Sequence, residues 1–147
     1  MLLDLGCGTK NTKAPGHIGI DIVKDADIVW DLNKGLPKDS IMPYSGIEGI
    51  RCHQTIEHLD TIIPLMNDCY QVMKEGAMME ISTPKGGTDA FWQDPTHKKG
   101  YVWETFLYFM KDSQFPEAQE EYGITARFSK MDHWIEHEWN LQIRLTK

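Results

Sequence analysis

The chain has 147 residues, 41% of them hydrophobic and 25% charged, a balance that excludes a disordered or fibrous chain and gives one core without a disulfide or metal staple. Its 15 basic and 22 acidic residues leave a net charge of −7, which argues against a phosphate-tracking nucleic-acid surface; Lys98 and Lys99 make only a small basic spot. The cysteines Cys7, Cys52 and Cys69 are odd in number and hold no Cys-x-x-Cys pair, so neither a disulfide framework nor a cysteine zinc site is expected, and a reducing cytoplasm fits best.

Leu2 to Leu5 is a short apolar strand that runs into Gly6-Cys7-Gly8, the punctuation of a tight turn. The turn at the sixth residue leaves no room for the apolar core of a secretory leader, so none is expected. His17 to Ile22 is the second strand, with Asp21 near its end, and Asp27 to Asp31 the third, ending in another acid. Leu32 to Ser45, with Gly35, Pro37 and Pro43, reads as a long loop.

Ile47 to Cys52 is a fourth strand, weakened by Gly49. From Leu59 the apolar positions Leu59, Ile62, Ile63, Met66, Tyr70 and Met73 trace one helix face, with Asp60 or Thr61 as cap, Pro64 in the first turn and Gly76 as the stop. Ala77 to Ser82 is a fifth strand ending in the loop Thr83-Pro84-Lys85-Gly86-Gly87. Residues 88 to 122 are aromatic-rich, with a helix predicted over Glu104 to Lys111. Trp139, Leu141, Ile143 and Leu145 alternate with polar residues in the last strand, and Ile124 to Met131 is its predicted antiparallel partner.

No apolar run approaches the roughly 20 residues of a membrane span, and no repeat marks a boundary, so 1–147 reads as a single domain. Strands alternating with helices or turns, closed by an antiparallel pair, predict an α/β fold: an open, Rossmann-like, mostly parallel sheet, trimmed at its first crossovers, with ligands at the strands' carboxyl ends.

Every glycine turn and strand-end acid lies at such an end. Glycines two apart after a buried strand, Gly6 and Gly8, let the backbone turn sharply and a ligand approach closely. A dinucleotide site would want a third glycine where Asn11 stands, and the crossover from Gly6 to Gly16 is short of the usual length of about a dozen residues or more. Asp21 can accept hydrogen bonds from both hydroxyls of a ribose. With Asp31-Leu32 after the third strand, these groups describe a nucleoside site without a diphosphate.

Leu3 to Thr9 (Leu-Asp-Leu-Gly-Cys-Gly-Thr), Gly19 to Ile22 (Gly-Ile-Asp-Ile), Asp27 to Leu32 (Asp-Ile-Val-Trp-Asp-Leu) and Ile56 to Leu59 (Ile-Glu-His-Leu) resemble the class I S-adenosylmethionine-dependent methyltransferases, in particular their small type-11-like branch. The resemblance runs from Leu3 to about Pro84, with a softer likeness at Asp94-Pro95-Thr96-His97. It implies S-adenosylmethionine as cofactor, held by Asp4, Gly6, Cys7 and Gly8 at its methionine and ribose end. Asp21 and Ile22 would then take the ribose, Asp31 and Leu32 would lie beside the adenine, and His53 would stand near the methyl group. It also divides the chain into a cofactor half, 1–84, and an acceptor side, 85–147. Lys10 and Gln54 depart from the family's pattern.

Methyl transfer needs alignment above all, and a general base only where the acceptor keeps its proton. The acid-base set near the strand ends is His53, Glu57, His58, Asp94 and His97; His53, Glu57 and His97 are the catalytic candidates, with Glu57 and His58 also able to orient the loop and cap the helix at Asp60. His58, Asp94 and His97 offer metal-ligand chemistry, but Asp-x-x-His lacks a partner pair such as His-x-x-x-His, so no metal is expected. Among the rings of the tail, Trp92 and Tyr101 are the candidates for a lid over the acceptor.

The sequence therefore predicts a methyltransferase acting on a small-molecule or glycan acceptor, without nucleic-acid or membrane partners. The small acceptor side leaves a role for a second copy, in a homodimer, to complete the site. A cofactor-binding module without catalysis and a nicotinamide oxidoreductase are the alternatives, the latter opposed by the missing third glycine.

Overall fold

In a computed structural model, which describes residues 1–41 and 46–147, seven strands form one sheet in the order β3-β2-β1-β4-β5-β7-β6. The strands are β1 (Leu2–Leu5), β2 (Ile18–Asp21), β3 (Ile28–Val29), β4 (Ile47–His53), β5 (Met73–Pro84), β6 (Lys130–Glu136) and β7 (Asn140–Thr146). The first five run parallel, β7 pairs antiparallel with β5, and β6 antiparallel with β7. The α/β, Rossmann-like architecture with an antiparallel carboxyl-terminal pair is as the sequence predicts. No helix among the described residues is long and apolar enough to cross a membrane.

One face of the sheet is apolar. Leu3, Leu5, Ile20, Cys52, Met79 and Ile81 are fully buried there, with Leu65, Met66 and Cys69 of α2 (Ile63–Val72) in the same cluster. Each such large side chain contributes roughly 1.5–3 kcal/mol. The opposite face is polar, because the crossovers that would cover it are short: β1 reaches β2 and β2 reaches β3 through turns alone. Registers set Asp4 beside Arg51, Arg51 beside Glu80, Glu80 beside Arg144 and Arg144 beside Asp132. A row of alternating charge thus crosses five strands. Opposite charges side by side satisfy one another and let this face meet water without a helix layer.

Several boundaries differ from the sequence reading. The third strand shrinks to Ile28–Val29. The supposed loop from Leu32 holds a three-ten turn, Leu32–Lys34, and the short helix α1 (Lys38–Ile41); Met42 to Ser45 lie outside the described residues. The turn forms because the Asp31 carboxylate caps it, accepting from the Asn33 amide.

Helix α2 begins at Ile63, not Leu59, and neither Asp60 nor Thr61 is its cap residue; that position is Ile62, without a side-chain cap, and Pro64 sits in the first turn as expected. The helix ends at Val72, and Gly76 (φ +77°) lies inside β5, which begins already at Met73. The expected helix over Glu104 to Lys111 is a three-ten run, Trp103–Phe109. The partner of β7 is Lys130–Glu136 in place of Ile124 to Met131, and Trp139 belongs to the connecting turn. Two short helices, α3 (Asp89–Trp92) and α4 (Pro116–Glu121), complete the chain.

Candidate active site

A cavity of about 440 Å³ opens at the carboxyl ends of β1 to β4, where β1 is followed by β2 on one side and the chain returns from β3 to β4 on the other. This is the topological switch point at which open α/β sheets take ligands, and the volume suits a small molecule. Gly6 lines it after β1, Asp21 and Ile22 at the end of β2, Trp30 to Asn33 after β3, and Gln54, Thr55, His58 and Leu59 after β4, with Lys98 at the rim.

The glycine turn is built around Thr55. Gly6 has φ +68°, and a Cβ there would lie 2.0 Å from Thr55 Oγ1, so only glycine fits. The Thr55 hydroxyl reaches the carbonyls of Leu5 at 3.1 Å and His53 at 2.8 Å, tying the ends of β1 and β4 together. The next residue back, Gln54, holds the left-handed conformation (φ 49°) without being glycine. Its amide donates to Ser82 O at 2.7 Å and its side chain to Ser82 Oγ and Asn140 Oδ1, both at 3.0 Å; these bonds offset the strain.

Two carboxylates face the cavity. Asp21 accepts the Gly8 amide at 2.8 Å through Oδ2 and the Val23 amide at 3.0 Å through Oδ1, which leaves about half of its lone-pair capacity free. The carboxyl of Asp31 is held below the usual carboxylate range, first by the Asn33 amide and then by the Asn33 side chain. Asn33 Oδ1 in turn accepts the Asp60 amide at 2.8 Å, fixing the rim.

Of the residues expected to hold the cofactor, Gly6, Asp21, Ile22, Asp31 and Leu32 line this cavity. Asp4, Cys7 and Gly8 stand behind it. Asp4 is 1% exposed, gripped by Arg51 Nη1 at 2.9 and 3.0 Å and by the Ala14 amide at 2.7 Å. The Cys7 thiol is packed against Gly19, and burial pushes its pKa up to about 11.

The catalytic candidates separate. His53 lies on the polar face of the sheet, in a different hollow with Glu80, Ser82, Trp134, Gln142 and Arg144. Its pKa is lowered by burial first and by the Arg51 charge next. Glu57 and His97 come together with His58 on the other side of the cavity. Glu57 does not cap a helix but sits fully buried in the three-ten turn Ile56–His58, where burial raises its pKa. Lys98 and Lys99 donate their amides to Glu57 O at 2.7 and 3.2 Å, clamping the Asp94–Lys99 loop over it. Of the two lid candidates, Trp92 is 73% exposed, whereas Tyr101 is 6% exposed and belongs to the core.

No protein-family model matches the sequence, and no curated protein matches it. Solved structures do. A S-adenosylmethionine-dependent methyltransferase from Archaeoglobus fulgidus is 19% identical, with a TM-score of 0.66 over 99% of this chain and 85% of that one. The chain has the class I methyltransferase fold. The N-methyltransferase NodS from Bradyrhizobium japonicum, in complex with S-adenosyl-L-homocysteine, is 13% identical, with a TM-score of 0.57 over 99% of this chain and 76% of that one. The [4+2]-cyclase SpnF matches at 14% identity and TM-score 0.57 over 99% of this chain and 74% of that one. A methyltransferase fold therefore accommodates more than one reaction.

Within that fold the sequence reading missed Trp30, Asn33, Thr55 and Lys98 as cavity residues. Trp30 and Asn33 flank an acid already singled out. Thr55 carries no signal in sequence, because its role is set by contact with Gly6 across 49 residues of chain.

Proposed function

We propose that the chain is a S-adenosylmethionine-dependent methyltransferase acting on a small-molecule or glycan acceptor. The observation that carries the reading is the cavity at the switch point, with Asp21 at the end of β2 and Asp31 just beyond β3, beside the Gly6 turn. The residues suit the cofactor. Asp21 retains acceptor capacity for two ribose hydroxyls, Ile22, Trp30 and Leu32 offer flat apolar contact to a base, and the absent Cβ of Gly6 admits close approach.

S-adenosylmethionine supplies an electrophilic methyl group on a sulfonium, a leaving group good enough that positioning is most of the catalytic task. In this reading Asp21 and Asp31 fix the nucleoside end, while Gln54, Thr55 and His58, beyond β4, face the acceptor end. Glu57 and His97 stand next to that end. His53 is given no acceptor contact, because it faces the other side of the sheet.

Calorimetric titration with S-adenosylmethionine and S-adenosylhomocysteine tests the reading; no binding of either at millimolar concentration would overturn it. A binding module without transfer is the second reading, favoured by the placement of His53 away from the cavity. It predicts cofactor binding with no methyl transfer to any acceptor of a small-molecule and glycan panel.

A further inference from the structure

Glu57 presents a chemical imbalance that the cavity does not resolve. Its side chain is 0% exposed; Oε2 accepts the Thr83 hydroxyl at 2.9 Å, and Oε1 has no hydrogen-bond partner among the described residues. A carboxylate oxygen removed from water without a partner is costly. Facing it are two imidazoles. One ligating atom from each of Glu57, His58 and His97 lies within 4.8 Å of the others, and the His97 side chain is 7% exposed.

The hydrogen bonds around the histidines engage Nδ1 of each ring. The Thr96 hydroxyl donates to Asp94 Oδ1 at 2.7 Å, and in that arrangement it accepts from His58 Nδ1, 3.1 Å away. His58 Nδ1 therefore carries the hydrogen. His97 Nδ1 lies 2.7 Å from the Phe91 carbonyl, which is also only an acceptor. Both Nε2 atoms are left with lone pairs, held in place by bonds to the far side of each ring, which is how metal-ligating histidines are oriented. With both Nε2 lone pairs uncommitted, the three side chains can offer three electron-pair donors to one ion.

We propose that Glu57, His58 and His97 form a binding site for a divalent first-row transition-metal ion. Two imidazoles and one carboxylate suit Zn²⁺, Mn²⁺ or Fe²⁺ better than Mg²⁺ or Ca²⁺, which prefer all-oxygen shells. Metal–ligand bonds of about 2.0–2.2 Å in a tetrahedral site set the ligating atoms about 3.4 Å apart, which modest side-chain rotation reaches from the observed separations. Three protein ligands leave a position for water or for an oxygen atom of a molecule in the adjoining cavity, which His58 lines. Asp94 Oδ2, 3.8 Å from His97 Nε2, adds negative charge beside the ion. Asp94 and Thr96 are positioning residues, acting through His58.

The site stands independently of any nucleoside in the cavity, and the test uses neither S-adenosylmethionine nor an acceptor. Chelator-stripped protein is titrated with Zn²⁺ by calorimetry. One equivalent is expected to bind the wild type, with affinity reduced by about 10- to 100-fold in Thr96→Val, which loses a support of His58, and by more than that in Glu57→Gln and His97→Ala, which lose a ligand. His137→Ala, at an exposed histidine of the β6–β7 turn, is expected to bind as the wild type does. Absence of a one-equivalent site in the wild type, or wild-type affinity in both Glu57→Gln and His97→Ala, overturns the proposal. Circular dichroism establishes that the variants fold. If they do not, the wild-type Co²⁺ spectrum decides: intense visible bands of a four- or five-coordinate ion support the site, and the weak bands of a six-coordinate ion overturn it.

Discussion

The Gly8 amide donates to Asp21 Oδ2 at 2.8 Å, so the carboxylate assigned to the ribose also braces the glycine turn. Asp21→Asn keeps the shape of the group but replaces one acceptor oxygen with a donor; Asp21→Ala removes both functions. S-adenosylhomocysteine binding is expected to weaken about 10- to 100-fold in both variants, with Asp21→Ala the weaker, since each hydrogen bond to a charged group contributes roughly 1.5–3 kcal/mol. Calorimetry compares them directly. Unchanged affinity in Asp21→Ala would remove Asp21 from the cofactor site.

Gly6 and Gly16 both have positive φ, but their surroundings differ. A Cβ at Gly6 meets Thr55 at 2.0 Å, whereas one at Gly16 meets nothing within 4 Å among the described residues. Gly16→Ala is expected to cost only the backbone strain, about 1–2 kcal/mol. Gly6→Ala should cost clearly more, because Thr55 must also move and release the ends of β1 and β4. Urea midpoints measure the difference, and equal losses would mean that the contact with Thr55 is easily relieved.

Arg51 and Arg144 stand in the same row of alternating charge with unlike partners. Asp4 is buried beneath Arg51, while Glu80 is 46% exposed beside Arg144. Arg51→Met strands a buried carboxylate and is expected to cost about 2–3 kcal/mol, below the full value for a wholly buried pair because Arg51 itself is 35% exposed. Arg144→Met should cost under about 1 kcal/mol. Chemical denaturation ranks the two, and the reverse order would contradict the burial argument.

Asp27 accepts the Gly19 amide at 2.9 Å and pairs with Lys13; the amide first and the lysine next hold its pKa below the ordinary value. A carboxyl with a lowered folded pKa stabilises the protein above its unfolded pKa, near about 3.9, and that contribution fades as the pH falls through the lowered value. The stability gap between wild type and Asp27→Asn should thus be full at pH 5 and close as the pH drops below about 4. A gap that widens on acidification would refute the sign.

All three thiols are buried. Burial pushes Cys52 and Cys69 far above the usual thiol range and Cys7 to about 11, so no thiolate is available near neutral pH. Ellman's reagent at pH 8 should therefore label the native protein slowly and the urea-unfolded protein quickly, at three equivalents. Rapid labelling of one thiol in the native state would show that its surroundings open.

Much of the cavity at the ends of β1 to β3 was readable from order along the chain. Leu2–Leu5 with Gly6, the end of β2 with Asp21, and Asp31 after β3 each announce themselves locally, since a buried strand, a tight turn and a strand-end acid need only a few consecutive residues. Boundaries failed where local signals were weak or misleading. Lys130–Glu136 is a largely exposed edge strand, so it lacks the alternation that marks β7, and its turn at His137 and Glu138 adopts positive φ without glycine or asparagine. Gly76 looks like a helix stop, but pairing of Met73 with Ile47 draws the chain into β5 first.

The sequence by itself determined the fold class, the glycine turn and the two strand-end acids. Tertiary structure alone decided what Asp4, His53 and Glu57 do. Asp4 meets Arg51 across 47 residues, His53 turns to the polar face by the two-residue period of β4, and Glu57 finds its histidine neighbours only when the Asp94–Lys99 loop folds over it. Strand and turn propensities act between neighbours in the chain, whereas ion pairs, burial and ligand clusters depend on distances that only the folded backbone sets.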